Sequence, residues 1–333
     1  MNKKTILITG GTGSFGNHFV RHLLEYQDFQ KIIVYSRDEY KQDIMSKELK
    51  SIFPSTINRV RFFIGDVRDK QRLYRAFKEV DYVIHAAAMK QVPACEYNPF
   101  EAIKTNIHGA QNIVDAALDC GVKKVIALST DKAVNPINLY GGTKLVSDKL
   151  FISANAYSGH SRTTFSVVRY GNVSGSRGSV IPYFKELLKN GSKKLPITDT
   201  RMTRFWMTLD DASYLVLKAL EESKGGETYV YKNPSYKITD LAKAIDENVE
   251  LDIVGIREGE KLHECMIASD DARLTFDYGD HYIIYPNFIW WNEENYYKQN
   301  GIRVQNDWEY NSGDNKDWLD IETLKAFISK LEH

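Results

Sequence analysis

Thr5-Ile6-Leu7-Ile8-Thr9 runs straight into Gly10-Gly11-Thr12-Gly13-Ser14-Phe15-Gly16. A short apolar run, a glycine-rich turn and the opening of a helix follow in the order that a dinucleotide-binding strand–turn–helix unit needs. Gly10 permits the tight turn, Gly13 lets a pyrophosphate approach the backbone, and Gly16 lets helix and sheet pack closely; free N–H groups at the helix start suit phosphate oxygens. Working outward, residues 31–36, 59–64, 81–85, 124–130 and 164–170 read as further strands buried on both faces. Helical spacing separates them. The clearest case opens at Asn98-Pro99, where Asn98 suits a cap and Pro99 the first helical position. Its apolar face runs through Ile103, Ile107, Ala110, Ile113, Val114 and Ala117, and Gly121 ends it. Alternation of this kind predicts an α/β fold, a Rossmann-type doubly wound parallel sheet whose ligands bind beyond the strands' carboxyl ends.

Bulk properties narrow the classes. The 333 residues carry 44 basic and 44 acidic side chains, so no polyelectrolyte signal points to nucleic acid or an anionic membrane. Three widely spaced cysteines, Cys95, Cys120 and Cys265, argue against a disulfide framework or a zinc site and fit a reducing compartment. No apolar run is long enough to span a bilayer, and no leader precedes the first strand, so the expectation is a cytoplasmic protein. After Tyr170 the pattern loosens, with helices expected over 180–190, 210–223 and 239–246 and strands over 227–231 and 251–256. The resulting division is a dinucleotide domain over 1–171, rejoined by 205–232, and a smaller C-terminal substrate lobe over 172–204 and 233–333.

The polar residues cluster where such a sheet would bind. The second strand ends Ser36-Arg37-Asp38, with Lys41 close behind. A guanidinium forks onto phosphate, so Ser36, Arg37 and Lys41 suit the 2′-phosphate of NADP, while Asp38 leaves NAD open. Asp66 and Val67 follow the third strand, where Asp66 either meets an adenine edge or caps a helix. Ala86-Ala87-Ala88 lets a cofactor pass closely, and Lys90 follows within reach of phosphates.

The fifth strand ends Ser129-Thr130-Asp131-Lys132, and a helix opens at Tyr140-Gly141-Gly142-Thr143-Lys144. Tyr140 and Lys144 share a helical face, and a neighbouring ammonium lowers a phenol's pKa. Beside a nicotinamide, Tyr140 exchanges a hydroxyl proton while a hydride moves, Lys144 tunes it and holds the ribose, and Ser129 or Thr130 shares the substrate hydroxyl. Asp131-Lys132 adds elimination: a ketone at a sugar's C4 acidifies the C5 proton, which a lysine removes if its pKa falls, while an acid of raised pKa protonates the departing C6 hydroxyl. Less weight falls elsewhere. His85 reads as a satisfied core histidine, His263-Glu264 as a base–orienter pair without a nucleophile, Trp290-Trp291 as lobe packing, and Asp270-Asp271 as a solvated turn rather than a metal site.

Together these residues resemble the extended short-chain dehydrogenase/reductase superfamily over nearly the whole chain, with Arg204-Phe205-Trp206 and Leu209-Asp210-Asp211 adding to the glycine turn and the Tyr140/Lys144 pair. Within it, Tyr35 to Glu39, Ala86 to Lys90, Glu96 to Pro99, Ser129 to Lys132, Asn135 to Tyr140, Val168 to Val173, Pro196 to Trp206 and Gly255 to Glu264 resemble the inverting UDP-N-acetylglucosamine 4,6-dehydratases that open the pseudaminic acid pathway. The resemblance implies a bound NADP, Lys132 as base at C5, Asp131 as acid at C6, Tyr140 as the redox acid/base and Lys144 as its partner. It implies a cofactor wall of Thr12, Gly13, Ser14, Phe15, Ser36, Arg37, Asp38, Glu39, Tyr40, Lys41, Asp66, Val67, Ala86 and Lys90. For the sugar nucleotide it implies Lys90, Asn172, Val180, Thr198, Arg257 and Glu260, and it implies a homo-oligomer. Retaining relatives carry Asp-Glu where this chain has Asp131-Lys132. Two departures stand out: Gln91 replaces the family's usual histidine, and Gly142 its usual alanine, at a cost of roughly 1 kcal/mol in helix propensity. A C4 epimerase shares the hydride step without elimination, and a regulator that senses NADP would need none of these side chains.

Overall fold

The structure, a computed structural model, describes residues 4–159, 162–175, 179–288 and 301–331. The chain opens β1 (Thr5–Thr9), α1 (Ser14–Tyr26), β2 (Lys31–Ser36), α2 (Glu39–Ile52), β3 (Val60–Ile64), α3 (Lys70–Ala76) and β4 (Tyr82–His85). It continues through α4 (Val92–Tyr97), α5 (Pro99–Ile103), α6 (Gly109–Cys120), β5 (Lys124–Thr130), α7 (Leu139–Ala154) and β6 (Thr164–Tyr170). Next come α8 (Val180–Lys189), β7 (Lys194–Ile197), β8 (Thr203–Phe205), α9 (Leu209–Glu222), β9 (Thr228–Tyr231), β10 (Ser235–Lys237), α10 (Ile238–Ile245) and β11 (Glu250–Ile253). The last elements are β12 (Cys265–Ile267), β13 (Thr275–Asp277), β14 (His281–Ile284), β15 (Ile302–Arg303), β16 (Tyr310–Asn311) and α11 (Ile321–Lys330).

Seven parallel strands in the order β3-β2-β1-β4-β5-β6-β9 form the body of the sheet. Chain order reverses between β1 and β4, which opens a crevice at their carboxyl ends. Because successive side chains of a strand face opposite ways, each strand feeds two cores. Ile6 and Ile8 pack with Phe19 of α1 and Leu215 of α9, whereas Leu7 packs with Ile113 of α6 and Phe151 of α7. This double burial is what the apolar runs expressed. The exception is β3, the parallel edge, where Arg61 and Ile64 are exposed.

The helix expected from Asn98 is not continuous. Asn98 closes α4, its side-chain amide donating to the Ala94 carbonyl at 3.0 Å, and does not cap α5. A π-turn over Lys104–His108 then inserts one residue, so Thr105 and Asn106 turn inward where Ile103 and Ile107 were expected to. Gly121 ends α6 at φ +69°, as read from the sequence.

A third core, built on Phe184 of α8, Leu195 of β7, Trp206, Leu241 of α10 and Leu324 of α11, forms the smaller lobe. The sequence reading gave all of 233–333 to this lobe, but β13 and β14 pair antiparallel beyond β9 and extend the main sheet to ten strands, with β15 at its edge. The turn Asp277-Tyr278-Gly279-Asp280, with Gly279 at φ +95°, makes that hairpin. Trp290-Trp291 lies outside the described residues. Among the described residues no helix is long and apolar enough to cross a membrane.

Candidate functional site

The turn after β1 is built around missing side chains. Gly10 sits at φ +64°, and a Cβ there would lie 2.9 Å from the Ala87 backbone. A Cβ on Gly16 would lie 2.5 Å from the Gly11 Cα, so α1 can start this close to β1 only as glycine. Gly13 is the N-cap of α1 and supplies no capping side chain, which leaves the first N–H groups of the helix to a ligand. This cradle fits the pyrophosphate of a dinucleotide.

It opens onto a cleft of about 1350 Å³ running from α1 to the smaller lobe. Every residue expected to hold the cofactor lines that cleft except Glu39 and Tyr40. Both start α2 and face away, Tyr40 being 71% exposed. The six residues expected for a sugar nucleotide, Lys90, Asn172, Val180, Thr198, Arg257 and Glu260, line its other half. At the end of β2 the Asp38 carboxylate caps α2 through the Lys41 N–H at 3.0 Å and pairs with the Lys41 ammonium at 2.9 Å. Arg37 stays largely exposed, 3.7 Å from Asp66. Asp66 does not cap a helix; Asp69 does that for α3, while Asp66 receives the Arg68 guanidinium at 2.8 and 3.1 Å.

At the end of β5, Lys132 is the centre of a buried charge cluster. Its ammonium lies 3.2 Å from Asp131 Oδ1, 3.2 Å from Asn172 Oδ1 and 3.5 Å from Glu264 Oε1. Arg204 Nε closes the group 3.4 Å from Glu264. Desolvation disfavours the charge on Lys132, but the carboxylates of Asp131 and Glu264 outweigh it and raise its pKa above the usual lysine range. Desolvation likewise opposes ionisation of Asp131, and Lys132 overrides it, with Thr130 donating to Oδ1 at 2.7 Å, so the carboxyl is held below its usual range. Both shifts run opposite to those the sequence reading required. Asp131 is also 1% exposed and stands behind Lys132, off the cleft wall.

Tyr140 and Lys144 line the cleft from the first turns of α7, which Asn138 caps. Burial pushes Tyr140 up to about 12, and the strongest cation drawing it back is Lys132, not Lys144. Lys144 is held below its usual value by burial and answers chiefly to Asp148, one turn further on. Asp148 in turn accepts from the Ser129 hydroxyl at 2.5 Å. The Ser129 proton is therefore committed to Asp148, whereas the Thr130 hydroxyl, which donates to Asp131, also bonds the Tyr140 hydroxyl and eases its ionisation.

Three contributors escaped the sequence reading. His263 and Glu264 do not act as a base–orienter pair: His263 Nδ1 sits 2.8 Å from Thr203 Oγ1, while Glu264 turns toward Lys132. Asn106, in the π-turn, receives the Met89 N–H and donates to the Met89 carbonyl and the Thr143 hydroxyl, fixing the loop that carries Lys90 to α7. Asp148 was legible only as the next step of the 140, 144, 148 series on one helical face. His85 is the satisfied core histidine expected, 2.8 Å from Thr9 Oγ1 and driven down to about 3 by burial. Asp271 is not merely solvated, since Arg169 lies 3.9 Å away.

Residues 6–286 match the family model of polysaccharide biosynthesis proteins, and the chain belongs to that family of extended short-chain dehydrogenase/reductases. Over 336 residues it is 55% identical to UDP-N-acetylglucosamine 4,6-dehydratase (inverting) of Campylobacter jejuni subsp. jejuni serotype O:23/36 (strain 81-176), covering 99% of each chain. It is 41% identical to UDP-glucose 4-epimerase of Rickettsia akari (strain Hartford), covering 99% of this chain and 96% of that one. Among solved structures, that of Pen from Bacillus thuringiensis superposes with a TM-score of 0.88 at 38% identity, covering 99% and 98% of the two chains.

Proposed function

We propose that the chain is a UDP-N-acetylglucosamine 4,6-dehydratase that inverts C5, works with NADP in the cytoplasm as a homo-oligomer, and supplies the first intermediate of pseudaminic acid biosynthesis. The observation that carries this reading is the juxtaposition of a phenol, Tyr140, with an ammonium held between two carboxylates, Lys132, on one wall of the dinucleotide cleft. The cofactor, when bound, supplies the hydride acceptor and donor that a redox-neutral dehydration needs. Gly10, Gly13, Gly16 and the start of α1 hold its pyrophosphate. Arg37 reaches its 2′-phosphate, a reading favoured by Asp38 being spent on Lys41. Tyr140 takes the proton of the C4 hydroxyl, with Lys132 and Lys144 stabilising the phenolate.

Elimination falls to the Lys132–Asp131 pair. Moving one proton from Lys132 to Asp131 converts the ion pair into amine and carboxylic acid without changing its net charge. The amine then takes the C5 proton while the acid protonates the departing C6 hydroxyl, so water leaves and the ion pair is restored. Because Asp131 stands behind Lys132, the pair opens toward the cleft for this step. The 4-keto-5,6-ene left by elimination would take back at C6 the hydride removed from C4, and protonation of C5 on the other face would then give the 4-keto-6-deoxy-L-arabino product. A C4 epimerase, the name carried by the Rickettsia relative, needs no such pair.

Incubation with UDP-N-acetylglucosamine in deuterated water tests the reading. The expected product has lost one water, absorbs as a keto sugar and carries deuterium at C5 with inverted ring couplings. Recovery of an unlabelled C4 epimer would refute it. The cofactor assignment has its own test. Arg37→Met is expected to weaken NADP binding about 10- to 100-fold, as loss of a charge-assisted contact does, and to leave NAD affinity unchanged in calorimetric titrations. Equal losses for the two cofactors would remove Arg37 from the 2′-phosphate.

A further inference from the structure

Glu264 is 4% exposed, on a lobe segment 132 residues from Lys132 in sequence, and its backbone is pinned by the Ser312 hydroxyl, which accepts the Glu264 N–H at 2.9 Å. Its side chain is not needed for that anchoring. One carboxylate oxygen meets Lys132 and Arg204; the other, Oε2, is buried on the cleft wall without a hydrogen-bond partner. An orphaned buried carboxylate oxygen is costly, and a fold that keeps one needs a reason. Asp131 is the chain neighbour of Lys132 and lies behind it. Without Glu264 the ammonium would keep the neutral Asn172 oxygen at 3.2 Å, but its only close carboxylate would be Asp131, which draws it back toward β5.

We propose that Glu264 is a positioning residue for the elimination step, suspending the Lys132 ammonium from the lobe side so that it faces the cleft, and holding its proton in the pair with Asp131 until substrate arrives. This rests on the dehydratase reading above. The charged and titratable groups that face Lys132 are Asp131 from its own strand end, Glu264 and Arg204 from the lobe, Tyr140 from α7, Lys90 from the loop after β4, and Tyr236 from β10. Only Asp131 and Glu264 bring negative charge in their ordinary state. Removing the charge of Glu264 leaves Arg204 uncompensated and lowers the pKa of Lys132 on both counts. The pair works only while it holds one proton, so activity is lost as pH rises through the Lys132 pKa. Glu264 keeps that loss at high pH.

The test compares Glu264→Gln with Glu264→Asp in the full-length holoenzyme, using UDP-N-acetylglucosamine in deuterated water. The Gln variant is expected to lose about 100-fold in kcat with KM little changed, the scale on which misplacing a reacting group acts. Its alkaline limb should move down by about one to three pH units, the effect of one charge at close range. Reduced-cofactor absorbance should accumulate after mixing, because C4 oxidation outruns elimination. The Asp variant retains the charge and should restore the limb without restoring kcat. A Gln variant within threefold of wild type, an alkaline limb that moves equally in both variants, or a uniform loss of every step with falling Tm would each overturn the inference. Failure of the wild type itself to place deuterium at C5 would instead strike the dehydratase reading.

Discussion

Lys132→Met is expected to abolish product formation, by about 10³-fold or more, while the first hydride transfer survives. In the proposed mechanism the two halves use different proton acceptors, Tyr140 for the C4 hydroxyl and Lys132 for C5. Lys132 also eases ionisation of Tyr140, so its loss slows the first half without removing that half's own base. The variant should therefore show reduced-cofactor absorbance that rises on mixing with UDP-N-acetylglucosamine and does not decay, with no deuterium entering C5. Removing the ammonium also takes the closest cation from buried Asp131, while Glu264 keeps Arg204, and breaking a buried pair costs about 3–5 kcal/mol in other proteins. Lys132→Arg separates this structural loss from the chemistry. A guanidinium keeps the charge between the two carboxylates but does not give up its proton. The Arg variant should recover most of the lost Tm and none of the turnover. Retention of a tenth of the C5 exchange rate by the Arg variant would show that Lys132 is not the base, and an epimerase would keep its activity in both variants.

What the sequence disclosed divides along a physical line. Features set by local chemistry were legible: β1, β2, β5 and β6 have the bounds read from their apolar runs, and the Gly10–Gly16 cradle and the left-handed Gly121 stand where the pattern put them. Features set by distant contacts were not. Nothing near Glu264 announces Lys132, because their encounter depends on how the lobe returns over β5. The π-turn that turns Asn106 inward is a one-residue insertion into an otherwise regular amphipathic pattern, and periodicity averaged over several turns conceals it. The sign of the shifts at Asp131 and Lys132 was misjudged for the same reason. The residue types suggested cationic neighbours for Lys132 in the nicotinamide and Lys144, whereas in the folded chain the carboxylates of Asp131 and then Glu264 outweigh its burial. The hairpin of β13 and β14 was lost among aromatic residues whose three-residue turn breaks the alternation that marks a strand.

Gly141→Ala is expected to inactivate the protein, and Gly142→Ala, one residue further along the same helix, to stabilise it. At Gly141 an added Cβ would lie 2.0 Å from the Lys132 carbonyl oxygen and 2.9 Å from its carbonyl carbon. Both are backbone atoms of the short helical turn Asp131–Ala133, so no side chain can swing aside. Relief requires α7 to move away from the end of β5. That displacement separates Tyr140, on α7, from Lys132, on the turn, and a shift of about 1 Å between reacting groups already costs about 100-fold in rate. At Gly142 nothing lies within 4 Å of the added atom, and the residue sits in the first turns of a 16-residue helix. Alanine there gains helix propensity of up to about 1 kcal/mol with no contact to disturb. Thermal unfolding and turnover, measured together on the two variants, check the pair. Gly142→Ala should raise Tm and keep wild-type kcat, whereas Gly141→Ala should lose at least 100-fold in kcat and lower Tm. An active Gly141→Ala variant would mean that the contact between the Lys132 turn and α7 does not hold the amine and the phenol in register, and the two could not then serve one substrate in the way the cleft implies.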